Sequence, residues 1–108
     1  MADIFRVFVA KATNTVSIEL VNLGTTSTAI IRSLSICNTH TSSTASVDVT
    51  LLRSPTTTEY FLHRFTQVTA SQTVEPITSP VVLDAGDVLK IRANSGNVDA
   101  VATILETY

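Results

Sequence analysis

Apolar residues recur at every second position in one short run after another, and polar turn residues separate the runs. A period of two belongs to strands with one buried face, because successive side chains point to opposite sides of a sheet. No stretch carries a helical period for more than a turn or two. A chain patterned this way closes only by stacking sheets. The 108 residues suit a single domain, 1–108, with enough apolar content (44%) to close a core without disulfides or metals. Abundant Thr and Ser favour strands and turns. The expectation is an all-β, single-domain antiparallel β-sandwich of jelly-roll-like type, with about eight or nine short strands.

In chain order, a first strand runs over residues 4–11, with Phe5, Val7 and Val9 on one side and Ile4, Arg6 and Phe8 on the other. Both sides are apolar, so this strand meets a partner on its second face. Residues 15–21 follow, with Val16, Ile18 and Leu20 alternating against Ser17 and Glu19. The third strand, 28–38, places Ile30, Leu34 and Ile36 on one face, interrupted by Arg32, and Ile31, Ser33, Ser35 and Cys37 on the other. Arg32 reads either as a solvated edge residue or as an interface ion-pair partner. A polar loop leads to the strand 45–53, and the two look like a hairpin. Pro55 marks that strand's end. The run 59–65 holds Tyr60, Phe61 and Phe65, with Phe61, His63 and Phe65 on a common face. It is a candidate subunit contact, because aromatics concentrate binding energy. Residues 67–75 predict a loop and a short strand. Residues 81–83 and 88–93 flank Asp84-Ala85-Gly86-Asp87 as a second hairpin, with Gly86 supplying a positive φ. Asn94-Ser95-Gly96-Asn97 is a turn before the last strand, 98–105, whose alanines suggest a close approach of the sheets.

The chemistry of the side chains excludes more than it assigns. A net charge of -2 offers no basic excess for a phosphate backbone, so nucleic acid is not expected as a partner. No apolar run approaches the ~18 residues of a membrane-spanning helix. The N-terminus shows no secretory pattern, so synthesis in a cytoplasm is expected. Cys37, the single cysteine, reads as a small buried hydrophobe. Asp84 and Asp87 lack the carboxylate density of a calcium loop and read as turn formers, with Asp99 an open third member. His40 and His63 lack metal-ligand spacing, and no Gly-x-Ser-x-Gly elbow or Gly-rich phosphate loop is present. No catalytic residue, cofactor site or metal site is expected, and the chain is read as a non-enzyme. The candidate interface residues are Phe5, Phe8, Arg32, Tyr60 and Phe61. Sugar stacking on Tyr60 and Phe61 is a second reading of the aromatic run.

Several segments carry a resemblance: Ile31-Arg32-Ser33-Leu34-Ser35-Ile36-Cys37-Asn38-Thr39, then Ala45-Ser46-Val47-Asp48-Val49-Thr50-Leu51-Leu52, Tyr60-Phe61-Leu62, Val82 to Ile91, and Asn97 to Glu106. In these the chain resembles the small all-β virion structural proteins of tailed bacteriophages, those of cyanobacterial and marine phages in particular. The motifs specify strands and turns, and no catalytic or ligand residue carries over. The resemblance implies a virion protein made in the host cytoplasm. It implies a capsid decoration or cement protein that binds the assembled shell, with a tail, neck or baseplate component, or a glycan- or receptor-binding module of a fibre, as the alternative. Its implied partners are the major capsid protein or other virion proteins and further copies of itself, with a homotrimer suggested by the local threefold positions of icosahedral shells.

Overall fold

The computed structural model describes residues 3–13, 15–54, 58–77 and 79–107. Pro55, on which the expected end of the fourth strand rested, lies outside them, as do Asn14, read from the sequence as turn-like, and Thr78, read as part of an extended connector between Pro76 and Pro80. The described residues form nine strands: β1 (Asp3–Ala12), β2 (Ser17–Asn22), β3 (Thr28–Asn38), β4 (Ala45–Arg53), β5 (Thr58–Val68), β6 (Thr73–Val74), β7 (Val81–Leu83), β8 (Val88–Ser95) and β9 (Val98–Thr107). They make two antiparallel sheets. The first runs β1-β9-β3, with β6 and β7 sharing the far side of β3; the second runs β2-β8-β4-β5. The first strand lies beside the last, the second beside the last but one, and β3 and β4 continue the series in opposite sheets. A long antiparallel ribbon rolled over itself gives this order, which is jelly-roll wiring.

Alternation puts one face of each strand into the core. In β9, Val98, Ala100, Ala102 and Ile104 are buried; in β3, Ala29, Ile31, Leu34 and Ile36; in β8, Leu89, Ile91 and Ala93; in β4, Ala45, Val47 and Val49. The alanines let the two sheets approach, and the branched residues fill the space between them. A slip of one residue would turn each of these sets to the outside, so burial pins the register.

Two expected hairpins are absent, because consecutive strands here change sheets. β7 pairs with β3, while β8 pairs with β2 and β4, so Asp84–Asp87 is a corner between sheets. Likewise β3 lies in the first sheet and β4 in the second. Local spacing looks the same for a hairpin and for a corner; only burial of both inner faces selects the corner.

The face expected for β3 is also corrected. A bulge lies between Ile31 and Ser33, so Arg32 is an extra residue. The alternation shifts by one there, and Ile31, not Ile30, shares the core face with Leu34 and Ile36. Cys37, beyond the bulge, keeps the face opposite Leu34 and Ile36 and sits half-buried on the outer side, where a buried hydrophobe was expected. In β5, register shifts fall on either side of His63, and Phe65 has φ of 54°. Phe61 lies opposite Thr50 and His63 opposite Val49, two adjacent residues of β4 that point to opposite faces, so Phe61 and His63 do not share one.

The Asp84–Asp87 corner is held by a buried carboxylate. Asp87 Oδ1 accepts from the Ser54 amide at 2.9 Å and Oδ2 from the Asp84 amide at 3.0 Å. The Gly86 amide donates to the Gly24 carbonyl at 2.8 Å, and Arg53 Nε lies 3.6 Å from Asp87 Oδ2. Residues after β2, β4 and β7 are thus tied together at one end of the sandwich. Gly86 has φ of 89°, and a Cβ there would lie 2.6 Å from Ser54 Oγ and 2.8 Å from Ser54 Cβ. Both the conformation and the space demand glycine. Gly86→Val is expected to lower unfolding free energy by about 2–4 kcal/mol in urea titration, and Gly86→Ala by somewhat less. Unchanged midpoints would show that the corner does not constrain the fold.

Candidate functional site

The outer faces of the two sheets differ sharply. On the first sheet, Phe5 of β1 lies opposite Leu105 of β9, Leu105 opposite Ile30 of β3, and Ile30 opposite Val82 of β7. Directly opposed residues share a face, so these four form an apolar row across four strands. Val9 lies opposite Val101 two rows on, with Val7 and Thr103 between. Phe5 (69%), Val7 (62%), Val9 (71%), Val82 (58%) and Val101 (40%) are exposed. Ile30 and Leu105 are half-buried. Polar rows frame the band: Asp3, Thr107 and Thr28 at one end, Lys11, Asp99 and Cys37 at the other. A contiguous exposed apolar band with a polar rim marks an interaction surface.

The outer face of the second sheet is charged. Glu59 and Phe61 on β5, Asp48 and Thr50 on β4, and Lys90 and Arg92 on β8 line a shallow groove of about 180 Å³. Thr50 donates to Glu59 Oε1 at 2.8 Å, with Lys90 Nζ 3.8 Å from the same oxygen. Asp48 is buried and accepts the Phe65 amide at 2.8 Å, which stabilises the bulged backbone. The Arg64 guanidinium stands 4.9 Å from the Phe61 ring and 4.8 Å from that of Phe65.

The five candidate interface residues are not one cluster. Phe5 lies at the head of the apolar row. Arg32 is exposed at the β3 bulge of the same sheet. Phe8 faces inward, half-buried against the core, with the Arg6 guanidinium 4.9 Å from its ring. Tyr60 (54% exposed) and Phe61 (52%) stand on β5, in the other sheet. The fold adds Val7, Val9, Ile30, Val82, Val101 and Leu105 to the band. Their signal in the sequence is that both parities of the first and last strands carry apolar residues.

Two of the titratable pairs on the first sheet are engaged in structural contacts. Asp99 pairs with Lys11 at 2.9 Å. Its register places it near Val98, at the opposite end of the first sheet from Leu83 and the Asp84–Asp87 corner. Among the described residues, no three of His, Cys, Asp and Glu are grouped to hold a metal. Beside the apolar row, on the inner side, the buried Glu106 accepts from Arg6 Nη1 at 2.8 Å. That hydrogen bond holds the Glu106 carboxyl below the usual carboxylate range; burial opposes the shift, and a hydrogen bond from Ser27 and the Arg6 charge add to it.

No family model matches the sequence, and no curated protein matches it. Among solved structures, the chain is similar to one from infectious bursal disease virus, Gt strain, at 13% identity and a TM-score of 0.37. The match covers 97% of this chain and spans about a third (32%) of that one. A likeness at this level carries no inference about function, which has to be read from the surfaces.

Because the Glu106 carboxyl is held low, its contribution to stability is complete above the usual carboxylate range and drains as pH falls through the lowered value. Arg6→Met removes the largest cause of that shift. Arg6 is half exposed, so screening keeps the pair's worth to about 1 kcal/mol, or roughly 5 °C in Tm at neutral pH. Melting curves should show that gap narrowing as pH falls below the usual carboxylate range, and closing once pH passes the lowered value and the carboxyl is protonated in both proteins. A gap independent of pH would show that Arg6 acts by packing alone.

Proposed function

We propose that this chain is a structural subunit of a virus particle, and that it takes part in assembly by burying the outer face of its first sheet. The observation that carries the reading is the apolar band running from Phe5 through Leu105 and Ile30 to Val82, with Val7, Val9 and Val101 beside it. A face of this kind is unfavourable to leave in water at ~25 cal/mol per Å² of apolar surface, and a partner removes that penalty. Low overall charge, a Thr/Ser-rich surface and a core closed without disulfides suit a small module added in many copies. Weak single contacts become effective when repeated over a lattice.

Following its resemblance to the small virion proteins of tailed bacteriophages, the particular role proposed is capsid decoration or cement, with the major capsid protein as partner. Placement in a tail, neck or baseplate is the alternative. Either role is non-catalytic. The charged groove around Phe61 favours one further reading, a glycan-binding module: a half-exposed aromatic ring beside carboxylates and cations is a surface on which a sugar stacks and hydrogen-bonds. Binding on a glycan array that is abolished by Phe61→Ala would favour it over the assembly reading.

Incubation with assembled particles, followed by co-sedimentation and electron microscopy, tests the proposal. The wild type is expected to bind at a copy number near that of the shell protein. Val9→Asp and Val101→Asp alter exposed positions, so stability should move by less than about 0.5 kcal/mol. Binding should fall at least roughly tenfold, because a carboxylate would be buried unpaired at the contact. A protein that ignores shells and tails alike would overturn the reading.

A further inference from the structure

The sandwich exposes several strand edges, and all but one are blunted. β5 is broken by register shifts on both sides of His63 and by the positive φ of Phe65. β2 has a shift between Glu19 and Val21. On the far side of β3 the edge is split between β6, of two residues, and β7, of three. Bulges, charges and short lengths are the devices by which sheet proteins prevent edge-to-edge pairing. β1 is neither bulged nor short, and its charges are Asp3 and Lys11 at its ends and Arg6 between them. It is a 10-residue strand, pairs with β9 without a register shift, and among the described residues has no strand on its other side. Its one mid-strand charge, Arg6, is turned inward to Glu106.

We propose that this edge is the seam of a twofold homodimer, in which β1 pairs antiparallel with β1 of a second copy about an axis at Val7. The sequence of β1 is self-complementary in that register and its charges select it. On the outer face the row reads Asp3, Phe5, Val7, Val9, Lys11. Turned end for end about Val7, Asp3 meets the partner's Lys11, Phe5 meets the partner's Val9, and Val7 meets the partner's Val7. Opposite charges close both ends, and aromatic–β-branched pairs flank the centre; both are favourable cross-strand pairs. Asp3 holds one intrachain contact, from the Thr107 hydroxyl at 2.8 Å, and Lys11 pairs with Asp99. Each therefore keeps an intrachain neighbour that positions it for the second copy. On the inner side Arg6 meets the partner's Phe8, adding a second aromatic face to the one it already covers. Sliding the pairing by two residues in either direction leaves an end charge opposite an apolar residue.

Pairing of this kind satisfies the open amides and carbonyls of β1 by strand addition. It also makes one sheet of the first sheets of both copies and joins their apolar bands. The inference rests on β1 alone and stands whether or not the protein belongs to a virion. The contact is twofold, whereas the resemblance implies a threefold assembly, so the two stoichiometries are separable.

Light scattering across a dilution series, with cross-linking, tests the seam and its register. The wild type should weigh twice its 11.6 kDa chain mass. In a Cys37→Ser background, Val7→Cys should form an intermolecular disulfide under mild oxidation. Antiparallel partners stand about 4.5–5.5 Å apart between Cα atoms, within the reach of a disulfide. Val9→Cys should not cross-link, since it faces the partner's Phe5. Val7→Lys sets two like charges against each other on the axis and should weaken the dimer at least roughly tenfold, with the Tm of the monomer retained because Val7 is exposed. A monomer at all concentrations, a trimer, or a dimer that Val9→Cys cross-links and Val7→Cys does not would each overturn the proposal. Particle binding is measured separately and read from Val101→Asp, which lies on β9 outside the seam, so failure here leaves the assembly reading standing, and the reverse holds too.

Discussion

β9 carries the first sheet, because among the described residues it is the one strand paired along its full length on both sides. Its alternation does two jobs at once. Val98, Ala100, Ala102 and Ile104 point inward and set how closely the sheets approach. Val101 and Leu105 point outward and form the middle of the apolar band. Since the side-chain period is two, the core fixes the outer face as well: register cannot drift without turning alanines and an isoleucine out of the core. The apolar outer face is therefore as well defined as the core behind it.

The two ends of the sandwich are held by different means. At the Asp84–Asp87 end, a carboxylate without solvent exposure bonds the amides of two separate loops, and a glycine that admits no side chain closes the corner. At the other end, buried Asn38 plays a similar part. Its side-chain amide donates to the Ser43 carbonyl at 2.7 Å and to the Val68 carbonyl at 3.0 Å, joining the β3–β4 loop to the end of β5. Asp87 and Asn38 thus give partners to backbone groups at the corners, as a fold that changes sheets at nearly every turn requires, because each crossing leaves backbone groups outside both ladders. Among the described residues the Asn94 side-chain nitrogen, beside the β8–β9 turn, is buried without a partner.

Strand positions were legible because alternation is a local property. The bounds of the third, fourth and seventh strands agree with the reading of the sequence, and the others differ by a few residues at their ends. Partners were not legible. Asp-Ala-Gly-Asp between two apolar runs reads as a hairpin, and in space it is a corner. The bulge at Arg32 is equally invisible: a charged residue in an apolar alternation reads as an interruption, and only its place opposite β9 shows that it is extra. For the surfaces, aromatic content drew attention to Tyr60 and Phe61, whereas the apolar band is built largely from valines contributed by β1, β7 and β9.

The amino-acid sequence alone determined the class of fold, the approximate number of strands and the phase of most of them, the positive φ at Gly86, and the double-sided apolar character of β1. Those are consequences of side-chain periodicity and backbone sterics, which act over a few residues. Tertiary structure alone decided which strands are neighbours, which of two apolar faces is covered, and which edge is left unblunted. Those depend on pairing residues as distant as Phe5 and Leu105, and the free energy that selects such pairs comes from burying both inner faces together. No short window of the chain contains that quantity.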